Sequence, residues 1–176
     1  MKTQKSETLL KTNKTLWITL TAVLMGINIA LSVVSVPVPG GHLYFCDTVI
    51  NVAAVLLDPA AAFVVGGIGS FLGDFFFYPA PMFVSLVTHG LQAVVVSLIS
   101  HRLLTKKPVV SSSIAVTAGA VIMVIGYTLG RAYVYSTPEY SLLKLPFEIL
   151  QAGFGAAAGI FLLYPLRLKA AFRRAL

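Results

Sequence analysis

Six long apolar stretches, separated by short polar or proline-containing breaks, constrain the fold of this chain more than any other feature. A helix needs about 20 residues to cross a bilayer. Charged residues make up only 11% of the sequence, whereas an average soluble domain carries about 25%. The pattern predicts an all-α membrane protein of six transmembrane helices with no separate soluble domain. The predicted helices cover residues 16–36, 43–57, 60–77, 82–104, 113–135 and 142–166.

The basic residues predict the orientation of these helices. Eleven of the 13 Lys and Arg residues lie in three clusters, within residues 2–14, 102–107 and 167–174, and each cluster flanks an apolar stretch. Lys and Arg are enriched in the cytoplasmic segments of membrane proteins, so we expect both termini to be cytoplasmic. The net charge of +7 then reflects topology in a plasma membrane, and no nucleic-acid partner is expected. The predicted regions are a cytoplasmic tail (1–14), a six-helix membrane domain (15–166) and a basic cytoplasmic tail (167–176).

Two features argue against cofactor chemistry in this chain. A single cysteine, Cys46, excludes an internal disulfide and leaves a cysteine-based metal cluster without ligands. The sequence Gly67-Ile68-Gly69 lacks the third glycine of a nucleotide-binding loop and lies inside a predicted span. We therefore expect no metal and no cofactor.

The polar groups inside the predicted helices indicate a binding site. Ionisable residues at membrane depth are costly and mark function by default. Except for Asn28, which lies nearer mid-span, they fall in the outer halves of the helices, while the inner halves are rich in Ala, Val, Leu and Gly. We therefore expect a cavity that opens outward and is closed inward, with its mouth covered by the loops around residues 42–44 and 78–83. The predicted substrate-binding residues are His42, Tyr44, Asp47, Asn51, Asp74, Tyr78, His89, Gln92, Tyr127, Arg131, Glu148 and Gln151.

Each of these residues also has a purely structural interpretation. Asp47 could cap the second helix, and Asp74 could be a solvated residue at the rim. Arg131 and Glu148 could simply pair with each other, and His89 could be a buried histidine whose partners are all within the protein. Gln92 and Gln151 could join helices through amide hydrogen bonds.

Small residues recur at intervals of four in the first helix, at Ala22, Gly26 and Ala30. Such a stripe allows another helix to approach closely. It could serve packing within the protein or present a surface to a second membrane protein.

Four segments resemble those of the substrate-binding S components of energy-coupling factor (ECF) vitamin transporters. They are residues 41–50 (GHLYFCDTVI), 58–62 (DPAAA), 66–74 (GGIGSFLGD) and 148–151 (EILQ). The hydroxymethylpyrimidine type is the most similar. The family's fourth helix often has Lys where His89 stands and Glu where Gln92 stands, so this chain departs from the pattern there.

The resemblance implies a six-helix fold with an outward-facing vitamin pocket. It also implies that Ala22, Gly26 and Ala30 dock on a transmembrane coupling subunit, and that two partner ATPase subunits hydrolyse ATP. Hydroxymethylpyrimidine is the first candidate ligand. Arg131 would suit an anionic group, so pantothenate is an alternative, as is pyridoxine. Two other classes stay open: a small membrane enzyme, and a carrier that works without partners.

Overall fold

The computed structural model describes residues 13–104 and 106–175, which form a helical bundle. Five of the described helices are long and apolar enough to cross a membrane, and a sixth apolar helix, α2, has only 11 residues. The all-α class is thereby confirmed. The helices are α1 (Lys14–Val33), α2 (Cys46–Leu56), α3 (Pro59–Phe77), α4 (Met82–Arg102), α5 (Pro108–Tyr135), α6 (Pro138–Leu163) and α7 (Leu168–Ala175).

A β-hairpin joins α1 to α2, where the prediction extended both helices. Strands β1 (Ser35–Val38) and β2 (Gly41–Tyr44) pair antiparallel. The chain turns between them at Gly40 and Gly41, whose φ angles of 81° and 150° are rarely open to other residues. The helix prediction was wrong at residues 34–36 and 43–45, because β-branched residues next to prolines favour extended backbone.

The other predicted boundaries differ mainly at helix starts. Helix α5 begins at Pro108 and α6 at Pro138, five and four residues earlier than predicted, and α6 ends at Leu163. Proline is favoured in the first helical turn because it has no N–H to leave unsatisfied. Charged and hydroxyl residues around these first turns, Lys107 and Ser111 near Pro108 and Glu139 and Ser141 after Pro138, lower the local hydropathy and hid the helix starts. As a result Pro146 lies inside α6.

Helix α2 is central to the bundle and is apolar around most of its circumference. Its buried residues pack against α1, α4 and α6, as expected for a helix without a polar face. At 1.5 Å per residue it is about 16 Å long, roughly half the thickness of a bilayer core. Helix α2 thus covers only part of the bilayer thickness, and the hairpin precedes it in the chain.

Glycines allow the helices that carry polar residues to approach one another closely. A Cβ atom added at Gly155 of α6 would collide with the Cβ atom of Asp47 on α2. One added at Gly66 of α3 would lie 2.8 Å from the carbonyl oxygen of His89 on α4. Only glycine permits these two contacts, which set the positions of Asp47 and His89.

We expect Gly155→Ala to lower the melting temperature of the purified protein by an amount equivalent to roughly 1–3 kcal/mol, because overpacking forces helices apart. Gly153, two residues earlier on the same helix, has no atom within 4 Å of its Cβ position and provides the matched control. Gly153→Ala should leave stability unchanged or slightly raised. Equal melting temperatures for the two variants in the same detergent would contradict the close α2–α6 contact.

Candidate functional site

A cavity lies beneath the hairpin, among the adjoining ends of α1 to α6. Nine of the twelve predicted binding residues line it, and it is also lined by Ser32, Cys46, Ser70 and Met123, which the prediction did not include. Serines and a single cysteine gave no signal in the sequence, because both are common as packing residues in membrane helices. The predicted residues that line the cavity are His42, Tyr44, Asp74, Tyr78, His89, Tyr127, Arg131, Glu148 and Gln151.

The cavity has an inner and an outer chamber. The inner chamber has a volume of about 40 Å³, which is enough for a few water molecules. The outer chamber is more open and has a volume of about 310 Å³. The two chambers share Ser32, His42, Tyr44, Asp74 and Tyr78 as lining residues.

Asp47 is the centre of a buried hydrogen-bond network next to the inner chamber. The side-chain amides of Gln92 (α4) and Gln151 (α6) donate to its two carboxylate oxygens, at 3.2 Å and 2.8 Å. Asp47 is only 1% exposed. The N-cap of α2 is Phe45 and no side chain bonds to it, so the capping interpretation of Asp47 was wrong. The carboxylate instead links three helices.

This network fixes the proton arrangement of His89. Because the amide nitrogen of Gln92 donates to Asp47, its carbonyl oxygen is the atom that meets His89 Nδ1, at 2.7 Å. Nδ1 must therefore carry a hydrogen, which leaves Nε2 of a neutral His89 as an acceptor. The His89 ring lies 5.2 Å from the Tyr127 ring at the cavity wall. His89 thus lines the cavity and also has partners within the protein.

A second polar group occupies another part of the wall. The Ser85 hydroxyl donates to the Asp74 carboxylate and contacts the Tyr127 hydroxyl. Ser85 is fully buried, whereas Asp74 is half-buried. Asp74 is therefore held by a residue of α4 and still faces the cavity. It is not the solvated rim residue of the structural interpretation.

Arg131, Lys144 and Glu148 form a buried ionic cluster with one more positive than negative charge. Arg131 Nη2 and Lys144 Nζ lie 2.8 Å and 3.4 Å from the same oxygen, Glu148 Oε1. Among the described residues, Glu148 Oε2 and Arg131 Nε are buried without a hydrogen-bond partner. The predicted Arg131–Glu148 pair is confirmed, but it does not use all the polar atoms of its members. Lys144 was missed as a site residue, although its spacing of four from Glu148 on one helix was a usable signal.

The hairpin is held over the cavity by two contacts. Arg131 Nη1 donates to the carbonyl oxygen of Gly40 at 3.0 Å, and the Tyr44 amide donates to Gln151 Oε1 at 3.0 Å. Burial raises the pKa of the Tyr44 phenol to about 12, so this hydroxyl keeps its proton and can donate a hydrogen bond well into the alkaline range. The cover is thus attached through residues that also line the cavity.

Three predicted binding residues do not line the cavity. Asp47 and Gln92 support its wall, and Asn51 lies one turn further along α2, with its Oδ1 buried and unpartnered among the described residues. Ligand atoms of Cys46, Asp47 and His89 lie within 4.8 Å of one another, a spacing that could admit a metal ion. Since the Asp47 oxygens and His89 Nδ1 already have amide partners, this cluster does not require a metal. The absence of a metal stays a prediction.

The small-residue stripe of α1 faces away from the bundle. Ala22, Gly26 and Ala30 are exposed, and no atom lies within 4 Å of the Cβ position of Gly26. The opposite face packs against α3, where the Asn28 amide donates to the Val65 carbonyl oxygen in a π-helical turn at 2.8 Å. Packing within the protein therefore does not explain the stripe.

Comparisons with known proteins agree with this architecture. The family model described as "ECF-type riboflavin transporter, S component" matches residues 12–168. A curated relative from Pyrococcus woesei, described as an uncharacterized protein in the gap 3' region, is 30% identical over 143 residues. The alignment covers 80% of this chain and 94% of that relative.

We expect Asp47→Ala to destabilise the protein, because it leaves two buried amide donors without an acceptor at a cost of roughly 1–3 kcal/mol each. Glu139→Gln is the control, since Glu139 is an exposed acid in the first turn of α6. Thermal unfolding in detergent should show a large decrease for the first variant and almost none for the second. If the two variants unfolded together, Asp47 would not hold the helices as described.

Proposed function

This chain belongs to the ECF-type riboflavin transporter S-component family, whose members are substrate-binding subunits of vitamin transporters, and from that premise we propose what it binds and how it works. It captures a water-soluble vitamin or vitamin precursor at the outer face of the plasma membrane. A transmembrane coupling subunit and two ATPase subunits then drive release inside. The chain itself catalyses no reaction.

The observation that carries the proposal is the set of unused polar atoms at the cavity. Glu148 Oε2 and Arg131 Nε are buried without a partner in the described part of the chain, and both residues line the cavity. A buried polar group without a partner costs about 1–3 kcal/mol. A ligand that supplies one donor and one acceptor would remove that cost, so these atoms favour a small polar ligand.

The apolar packing at the other end of the bundle supports the division of labour. Buried residues such as Val55, Leu57 and Val96 belong to one continuous core there. A chain that binds at one end and is packed shut at the other requires partners to move its ligand. We propose that α2 is the sixth membrane segment and that both termini are cytoplasmic, which places the basic clusters on the inner side.

The exposed stripe on α1 is proposed to dock on the coupling subunit. Its residues have no packing role in the bundle, and small residues permit a second helix to approach closely. The opposite face of α1 contributes Ser32 to the cavity wall. One helix would therefore contact both the ligand and the partner.

Hydroxymethylpyrimidine is the proposed ligand. Glu148 Oε2 and the Asp74 carboxylate would accept hydrogen bonds from its amine and hydroxyl groups, and His89 Nε2 offers a further acceptor. The inner chamber has room for only a few waters, so even a single substituted ring would extend toward the outer chamber. A small ring needs less of that space than riboflavin, which the family description names and which is much larger.

Pantothenate is a second candidate, favoured by the charge of the ionic cluster. Arg131 and Lys144 share one carboxylate, so a ligand carboxylate would neutralise the remaining positive charge. Pyridoxine, with hydroxyl groups on a small ring, is compatible with the same atoms but has no specific observation in its favour.

Ligand binding by the purified chain, measured by titration calorimetry without ATP, tests the proposal. We expect hydroxymethylpyrimidine to bind, and Glu148→Gln to weaken it by about tenfold, because a hydrogen bond to a charged acceptor is stronger than one to an amide. Glu139→Gln should bind as the wild type does. The proposal fails if neither hydroxymethylpyrimidine, pantothenate, pyridoxine nor riboflavin binds even at millimolar concentration.

Lys144→Met separates the two candidate ligands. Removal of the excess positive charge should lower pantothenate affinity about tenfold or more, while the affinity for neutral hydroxymethylpyrimidine should change by less than about threefold. Hydroxymethylpyrimidine is the principal ligand if it binds the wild type more tightly than pantothenate does and its affinity is unchanged by the substitution. Tighter binding of pantothenate to the wild type, lost in Lys144→Met, would instead identify pantothenate.

Gly26→Leu tests the docking surface. The added side chain meets open space, so the fold and the ligand affinity should be retained, while copurification with a coexpressed coupling subunit should be lost. Val121→Leu enlarges an exposed residue on α5 and should leave copurification intact. Normal assembly of Gly26→Leu would show that the partner binds elsewhere.

A further inference from the structure

The end of the bundle opposite the cavity carries exposed positive charge from two separate segments. Arg102, Lys106 and Lys107 lie at and after the end of α4, and Arg167 and Arg174 lie at the start of α7 and within it. All five side chains are exposed. We call these five residues the basic surface.

Hydrogen bonds around Tyr164 bring the two segments together. The Tyr164 hydroxyl, just after α6, donates to the carbonyl oxygen of Pro108 at 2.7 Å and lies 2.8 Å from the Ser112 hydroxyl. The end of α6 is thus fixed against the start of α5, next to the loop that carries Lys106 and Lys107. The positions of the two segments are set by the fold and do not depend on the charges.

Helix α7 folds back against the bundle. The chain reverses at Arg167, whose φ of 58° is left-handed, and Phe172 then packs against the apolar core. Lys169 donates to the Tyr164 hydroxyl at 3.3 Å. The helix is strongly amphipathic, with Leu168 and Phe172 one turn apart.

Among the described residues, few acidic side chains lie near the basic surface. No Asp or Glu occurs in residues 75–138 or in residues 149–176. Asp58, the acid in the loop between α2 and α3, accepts hydrogen bonds from the Trp17 indole and from the first amides of α3. One carboxylate does not balance five cations, so most of this charge must be balanced from outside the described residues.

Exposed apolar side chains lie next to the cations and indicate what that is. Leu103, Leu104, Val109, Val110 and Leu166 are each between 44% and 60% exposed. Cations that alternate with apolar side chains at the ends of membrane helices match the boundary between lipid phosphates and acyl chains. An acidic protein surface would satisfy the cations but would leave these apolar side chains facing polar groups.

We propose that the basic surface binds the phosphate groups of anionic phospholipids. Each headgroup would lie between the loop after α4 and the start of α7, with its acyl chains against Leu104 and Leu166. The binding site is independent of the vitamin cavity and of the ligand it holds. It would fix the depth and tilt of the resting subunit in the membrane.

Native mass spectrometry of the purified full-length chain with an equimolar mixture of phosphatidylglycerol and phosphatidylcholine tests this proposal. We expect phosphatidylglycerol to be retained preferentially, with the preference decreasing at high salt. Arg102→Gln/Lys107→Gln/Arg167→Gln should reduce the preference by about fivefold for each charge removed. Arg102→Lys/Arg167→Lys, which keeps the charge, should retain most of it.

The melting temperature of each variant shows whether it is folded. The comparison of the two lipids on the wild-type chain tests the proposal even if a variant does not fold. Equal retention of both lipids by the wild type would overturn the proposal. So would an unchanged preference in the folded triple variant.

Discussion

The buried carboxylate of Asp47 is the interaction on which the rest of the site depends. Its two oxygens accept from Gln92 on α4 and Gln151 on α6. Gln151 in turn accepts from the backbone of Tyr44 in the hairpin. A single charge in the short helix α2 thereby sets the spacing of two long helices and the position of the cover. Gly155 makes this possible, because only a glycine leaves room for Asp47 at that point.

The two ends of the bundle satisfy their polar groups in different ways. Near the other end, serine hydroxyls donate hydrogen bonds to backbone carbonyl oxygens: Ser97 donates to Leu57 and Ser111 to Leu103. Both bonds satisfy a backbone oxygen at the end of a helix, α2 for Leu57 and α4 for Leu103. At the cavity end, Asp47, Gln92, Gln151 and His89 are linked through their side chains, and Glu148 Oε2 remains unpartnered among the described residues. This asymmetry is the physical basis for a protein that binds a solute at one end.

Sequence alone predicted the helical class, most helix positions and the collection of polar residues into one cavity, because the long apolar stretches and the cost of buried charge are strong constraints. It missed the hairpin, since prolines and glycines signal a break but not what replaces the helix. It also missed Ser85 and Lys144, whose roles depend on contacts with Asp74 and Glu148 across or along helices. Whether Asp47 and Gln92 touch a ligand or only support the wall depends on depths that no sequence pattern encodes.

The central claim is that this chain binds its ligand but does not carry it across a membrane alone. The most direct measurement follows radiolabelled hydroxymethylpyrimidine in sealed liposomes that contain only this chain, beside liposomes that also contain the coupling and ATPase subunits with internal ATP. The account predicts saturable binding without accumulation in the first and accumulation in the second. Accumulation inside liposomes that contain the chain alone would contradict it.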